Sequence, residues 1–150
     1  METISTKIKV AWQGESAFLG ENELGGKAQL GIMEGKPGIK PMQMILASLA
    51  GCTGVDVVNI LKKKRIKFSD LQINVSGKRA DTHPKVFTDI NVTYLIWGEE
   101  IREKDVEQAI RLSEEKYCSV SAMLKSTAKI IFDYKILAPG QDSESFVEDN

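Results

Sequence analysis

The sequence contains few of the residues that build metal centres, disulfide frameworks or hydrolytic triads. Its 150 residues include two cysteines and one histidine. His83 precedes Pro84 in a turn-like segment, which favours a surface loop residue over a catalytic base or a metal ligand. Cys52 and Cys118 are too few for a secreted disulfide framework and too far apart for a zinc knuckle or a C-x-x-C redox loop. We therefore expect no metal and no bound cofactor.

The chain also lacks an excess of charge of either sign. Twenty Lys and Arg residues stand against 21 Asp and Glu residues, and the formal net charge is −1. No global field therefore draws the protein to nucleic acid or to anionic lipid. The first residues carry charges and lack the basic cap and apolar run of a signal peptide. We expect a cytoplasmic protein that binds neither nucleic acid nor a membrane.

One long apolar stretch, residues 42–61, approaches the length of a membrane span. Asp56 lies inside it and small residues interrupt it, so we interpret it as a tightly packed core helix. Pro41 suits the first turn of this helix, which we predict to run to about Arg65. A chain of 150 residues has little protein with which to surround a helix that is apolar nearly all round. We therefore predict a homodimer.

The remaining patterns predict an α+β domain, with strands before and after the long helix. Apolar residues at helical spacing predict an amphipathic helix over 103–117 and a second helix over 119–125. Period-two alternation predicts strands at 5–12, 17–19, 26–33, 71–77, 86–97 and 127–136, with a loop over 31–38. We expect a single domain over residues 1–138 and an acidic, disordered tail over 139–150.

The two cysteines are the strongest candidates for chemistry. Cys52 lies in the long helix, with Ser48 and Asp56 one turn to either side. Cys118 falls between two predicted helices, where the free N–H groups of the second helix would favour a thiolate. Free cysteines are more often buried, inert side chains, so the residues alone leave both interpretations open.

An ordered set of motifs resembles the OsmC/Ohr family. It comprises an apolar helix that opens at Pro41 and leads to the sequence GCTGVDVV around Cys52, then a basic pair ending at Arg79, and then CSVS from Cys118. The similarity extends over residues 8–134. The continuation after Cys52 is most similar to the OsmC-like redox-protein branch of the family.

This resemblance implies a fold and a reaction. The fold has antiparallel sheets packed on a long central apolar helix, and two chains intertwine as a homodimer. In active relatives the helix cysteine attacks a hydroperoxide and becomes a sulfenic acid, which the later cysteine resolves as a disulfide that a small dithiol reduces. Cys52 would then be peroxidatic and Cys118 resolving. Organic hydroperoxides are the implied substrates, hydrogen peroxide is a further candidate, and an external dithiol replaces any cofactor.

Two activating residues of the hydroperoxide-resistance branch are missing from this chain. That branch has an arginine in its N-terminal strands and a glutamate beside the helix-opening proline, whereas this chain has no arginine before Arg65 and has Gln43 at the helix start. Gln43 is about 13 Å from Cys52 along one helix, so we expect it to act from the partner chain. Arg79 is a candidate replacement cation. Asp56, one turn from the sulfur, would oppose thiolate formation.

Three functions remain open at this point. The first is a thiol peroxidase in oxidative stress defence, acting through Cys52 and Cys118. The second is a non-catalytic protein that binds a small hydrophobic ligand in a dimer cleft. Its flanking residues would be Met42, Met44, Leu49 and Met123, although plain core packing also explains each methionine. The third is a purely structural dimerisation module. Consumption of a hydroperoxide by Cys52 would distinguish the first from the other two.

Overall fold

The computed structural model describes residues 5–143, which divide into two units between residues 45 and 46. The division falls within the long helix α1 (Pro41–Lys63). Most of the predicted acidic tail, residues 144–150, lies outside the described residues.

The N-terminal unit contains a three-stranded antiparallel sheet in the order β1-β2-β3 and a small hairpin of β4 and β5. Its strands are β1 (Lys9–Gly14), β2 (Ala17–Glu21), β3 (Lys27–Leu30), β4 (Ile32–Met33) and β5 (Lys36–Pro37). The first strand begins later than predicted. The predicted strand over 26–33 is broken at Gly31, whose φ is +73°, and the predicted loop over 31–38 contains the β4–β5 hairpin.

The three-stranded sheet of this unit has one apolar and one polar face. Cross-strand partners share a face, so the strand register assembles the apolar face. Its members are Val10, Trp12, Phe18, Gly20, Ala28 and Leu30. Trp12 is 68% exposed and Val10 50% exposed, whereas Glu21 on the other face pairs with Lys9 and Lys27. Exposed apolar surface of this kind is typical of an interaction face.

Gly31 is required by its surroundings as well as by its backbone conformation. A Cβ atom at this position would lie 1.8 Å from the Ser16 carbonyl oxygen. Gly35 has a similar φ of +76°, but a Cβ there would meet nothing within 4 Å. We expect Gly35→Ala to cost about 1–2 kcal/mol of unfolding free energy and Gly31→Ala to cost several times more. Urea denaturation of both variants checks this prediction, and equal effects would contradict it.

The C-terminal unit contains the larger part of α1 and a three-stranded sheet in the order β6-β7-β8. Its other elements are β6 (Asp70–Arg79), β7 (Phe87–Trp97), α2 (Glu103–Leu112), a π-turn (Ser113–Tyr117), α3 (Ser119–Leu124) and β8 (Lys129–Leu137). The central strand β7 pairs antiparallel with β6 and parallel with β8. A parallel pair needs a long crossover, which α2, the π-turn and α3 supply.

Helix α1 packs on this sheet through small and apolar side chains. A Cβ atom on Gly54 would lie 2.9 Å from Cδ1 of Ile73 in β6, so helix and strand approach closely. The buried residues follow helical spacing along one side. They are Leu49, Thr53, Gly54, Val57 and Leu61. The predicted core helix is confirmed, and it ends two residues before the predicted end.

The other side of α1 is exposed in the single chain. Ala47, Gly51, Val55 and Asn59 recur at intervals of four residues on that side, and Val55 is 61% exposed. By length and composition alone α1 could cross a membrane, and 28% of its most apolar window is buried. Its packing on β6 and β7 instead makes it a core element with one uncovered apolar side.

The predicted helix over 103–117 changes its geometry at Ser113. From there the chain forms the π-turn, in which the Cys118 N–H donates to the Ser113 carbonyl at 2.8 Å. Turns of this type occur frequently at functional sites.

The first residues of the predicted tail are held against β7, because Nε1 of Trp97 donates to the Gln141 carbonyl at 2.6 Å.

Candidate functional site

The C-terminal unit brings two cysteines that are remote in sequence to one place. Cys52 is half-buried on α1, and Cys118 is 3% exposed between the π-turn and α3. The Cys52 side chain lies close enough to the Cys118 thiol to raise the pKa of that thiol. Both thiols are free. This proximity makes a dithiol pair in which Cys52 is the more accessible residue.

Burial controls the protonation of Cys118. Its pKa is raised to about 11, mainly by desolvation and in smaller part by the neighbouring Cys52 and Asp56, whereas the Ser121 N–H, which donates to Sγ at 3.4 Å, lowers it. The prediction that the helix start would favour a thiolate at Cys118 is therefore wrong. One N–H donor does not compensate for loss of solvent around the sulfur. Cys118 remains a thiol at neutral pH.

A chain of buried hydroxyl groups lies beside the cysteines. Thr53 Oγ1 contacts the Tyr94 hydroxyl and lies 2.8 Å from Ser113 Oγ, and Ser113 donates to Asp56 Oδ2 at 2.8 Å. A carboxylate only accepts and each hydroxyl has one proton, so Tyr94 donates to Thr53 and Thr53 to Ser113. Burial raises the pKa of Tyr94 well above its ordinary value, so its hydroxyl keeps the proton.

Of the four residues in this hydrogen-bonded series, sequence reasoning found one and missed three. Asp56 was predicted as a supporting residue, and the structure places it in hydrogen-bond contact with Ser113 and within electrostatic reach of Cys118. Thr53, Tyr94 and Ser113 are fully buried. Their polar side chains within apolar segments were the signal, but no local pattern shows that three separate segments meet.

The other two predicted supporting residues, Arg79 and Gln43, form hydrogen bonds with backbone groups close to them in the sequence. Nε of Arg79 donates to the Lys85 carbonyl at 2.8 Å, at the end of β6 where the hairpin to β7 begins. In the N-terminal unit, Oε1 of Gln43 accepts from the Lys40 N–H at 3.0 Å and caps the start of α1. Their predicted roles beside the cysteines stay predictions.

Comparisons with known proteins agree with this geometry. A family model described as OsmC-like protein matches residues 33–133, a range that includes Cys52 and Cys118. Protein YhfA of Escherichia coli strain K12 is 35% identical over 135 residues, covering 88% of this chain and 98% of the relative. The chain belongs to the OsmC-like family.

Solved structures show the same fold. A crystal structure of a hypothetical protein from Aquifex aeolicus VF5 superimposes with a TM-score of 0.81 at 35% identity, covering 91% of this chain and 98% of the other. The organic hydroperoxide resistance protein OsmC of Legionella pneumophila gives a TM-score of 0.65 at 16% identity, covering 90% and 99%. The predicted family and the predicted α+β fold are confirmed.

In this OsmC-like protein, the charge of Asp56 is expected to hold the Cys118 pKa high. Asp56→Asn removes a negative charge that raises it, so the Cys118 thiolate forms more easily and the Cys118 pKa falls by up to about one unit. Ultraviolet titration of the thiolate in a Cys52→Ser background, with and without Asp56→Asn, measures the change. Asp81→Asn, in the exposed β6–β7 loop, is the control. An unchanged or higher pKa would contradict the prediction.

Proposed function

We propose that this OsmC-like protein is a thiol-dependent peroxidase that reduces organic hydroperoxides in oxidative stress defence, with hydrogen peroxide as a further substrate. The observation that carries the proposal is the proximity of the half-buried Cys52 to the buried Cys118 thiol, which the two distant segments of the chain bring together. Such a pair completes a peroxidase cycle with an external dithiol and no bound cofactor.

The two cysteines differ in exposure, and the cycle needs one accessible cysteine to react with the oxidant and one protected cysteine to resolve the product. Thiolates, not thiols, attack peroxides. Cys118, with its pKa raised to about 11, is protonated at neutral pH and is a poor competitor for the oxidant. Cys52 is the more exposed residue and lies on the long helix. These differences support Cys52 as the peroxidatic residue and Cys118 as the resolving residue.

The first step oxidises Cys52 by two electrons. Its thiolate attacks the terminal oxygen of the hydroperoxide, an S–O bond forms and the O–O bond breaks. The alkoxide takes up a proton and leaves as an alcohol, and Cys52 becomes a sulfenic acid. Hydrogen peroxide reacts in the same way and releases water.

The second step joins the two cysteines. The sulfur of Cys118 attacks the Cys52 sulfenic acid and forms the S–S bond, while the sulfenic hydroxyl and the Cys118 proton leave as water. A small external dithiol then restores both thiols by disulfide exchange and is itself oxidised to a disulfide.

A relative of the same fold supports a redox role. The Legionella pneumophila protein is described as an organic hydroperoxide resistance protein and a predicted redox protein. At 16% identity the shared property is the fold alone. Support for peroxidase activity in this chain therefore rests on its own cysteine pair.

We further propose that the protein is a cytoplasmic homodimer. The N-terminal unit exposes an apolar sheet face that includes Trp12, and the C-terminal unit exposes the α1 side that includes Val55. A second copy of the chain supplies apolar surface to cover both, because each copy presents the same two faces. The near-zero net charge favours no nucleic acid partner and no membrane partner.

A coupled assay tests the proposed activity. Purified protein is mixed with cumene hydroperoxide and excess dihydrolipoamide, and consumption of the hydroperoxide is followed against a sample without protein. We expect many turnovers per chain. An absence of turnover, together with ordinary reactivity of the Cys52 thiol toward alkylating reagents, would overturn the proposal and favour the non-catalytic ligand-binding protein.

A further inference from the structure

We propose that Ser113 is a positioning residue that holds Cys118 within reach of Cys52 during disulfide formation. The inference rests on the proposed function and adds to it the residue that controls the second step. Ser113 touches neither sulfur through its side chain in the described hydrogen bonds, so it acts through the segments that carry the cysteines.

Ser113 forms hydrogen bonds with both of the segments that carry the cysteines. Its carbonyl accepts the N–H of Cys118 at 2.8 Å, the bond that closes the π-turn. Its hydroxyl lies 2.8 Å from Thr53 Oγ1 and donates to Asp56 Oδ2 at 2.8 Å. Thr53 follows Cys52 in the sequence, and Asp56 lies one turn farther along α1. One residue thus joins the backbone of Cys118 to the helix of Cys52.

The surroundings make these bonds strong restraints. The Ser113 side chain is fully buried, so no solvent competes for its hydroxyl. Its proton goes to a carboxylate, and hydrogen bonds to ionised acceptors are about twice as strong as neutral ones. The π-turn is also bonded to the residue that follows α3, because Lys125 Nζ donates to the Glu114 carbonyl at 2.8 Å. The segment before Cys118 is therefore anchored on two sides.

The two chemical steps depend differently on this anchor. Attack on the hydroperoxide needs Cys52 and the substrate, whereas disulfide formation needs the Cys118 sulfur at bonding distance from the oxidised Cys52. A misplacement of about 1 Å can cost about 100-fold in the rate of such a step. Loss of the Ser113 hydroxyl frees the π-turn from α1 and leaves α1 itself intact. The second step is therefore the sensitive one.

Single-turnover kinetics of Ser113→Ala test the inference. After one equivalent of cumene hydroperoxide, sulfenic acid is trapped with dimedone and disulfide is measured by thiol loss. We expect sulfenic acid formation within about twofold of wild type and disulfide formation slowed at least about tenfold, so that sulfenic acid accumulates. Ser119→Ala, an exposed position next to Cys118, is the control and should change neither rate. Equal losses in both steps, or an unchanged disulfide rate, would overturn the inference.

A second pair of variants covers the case in which Ser113→Ala does not fold. Asp56→Asn keeps an acceptor for the Ser113 hydroxyl, whereas Asp56→Ala removes it. We expect disulfide formation to be slowed more by the alanine variant than by the asparagine variant, and equal rates would contradict the positioning role. Closure of the dithiol by diamide, which needs no hydroperoxide, separates the two proposals. Slow closure in Ser113→Ala supports positioning even if hydroperoxide turnover is absent, and wild-type closure rates overturn it.

Discussion

Replacing Cys52 with serine is expected to reduce hydroperoxide turnover by roughly 1000-fold or more. The expectation follows from the contrast between the two sulfurs. Cys118 is buried and has a pKa of about 11, so it offers almost no thiolate at neutral pH to replace the lost nucleophile. A serine hydroxyl does not form the sulfenic acid on which the cycle depends. Initial rates with cumene hydroperoxide and dihydrolipoamide measure the loss.

Cys118→Ser is the matched variant, because it removes the other sulfur by the same substitution. We expect it to consume one equivalent of hydroperoxide and then to slow, since the Cys52 sulfenic acid forms but no intramolecular thiol resolves it. The sulfenic acid should be trapped by dimedone on Cys52. Full multiple turnover by Cys52→Ser, or a sulfenic acid trapped on Cys118 in that variant, would contradict the assigned roles.

The second large effect is expected at Val55, on the exposed side of α1. In an isolated chain this side chain is 61% exposed, and a surface substitution there would change stability by about 0.5 kcal/mol or less. In the proposed dimer the partner covers it, and Val55→Glu would bury an unpaired carboxylate at a cost of several kcal/mol. We expect this variant to dissociate or to lose its fold.

Sedimentation equilibrium at micromolar concentration measures the effect. Wild type should behave as a particle of twice the 16.6 kDa chain mass, and Val55→Glu should not. Lys63→Glu, at the exposed end of the same helix, also introduces a carboxylate and should stay dimeric. A wild-type protein that sediments as a monomer would contradict the proposal that a second copy covers the exposed side of α1.

Local sequence signals predicted the long helix and most strands well. Pro41, the long apolar stretch and the charged residues after Leu61 define α1 without reference to the rest of the chain. The parallel pairing of β8 with β7 was not predicted, because strand direction depends on the crossover between them and not on the alternation within β8. The break at Gly31 likewise depends on the Ser16 backbone, in the turn between β1 and β2.

The candidate site was likewise predictable from the sequence only in part. The resemblance supplied Cys52 and Cys118, and one-turn spacing supplied Asp56. The protonation of Cys118 was predicted with the wrong sign, because a helix start is visible in sequence whereas the burial that outweighs it comes from the assembled fold. Ser113 was missed because its importance lies in contacts with residues about 60 positions away.

The most direct test of the central claim is the product of stoichiometric oxidation. Reduced protein is treated with one equivalent of cumene hydroperoxide, digested without reductant and analysed by mass spectrometry. We predict a peptide pair linked by a disulfide between Cys52 and Cys118 of the same chain, with a loss of two hydrogens from the intact mass. Recovery of unmodified Cys52 after the hydroperoxide treatment, or of oxidised Cys52 beside a free Cys118, would contradict it.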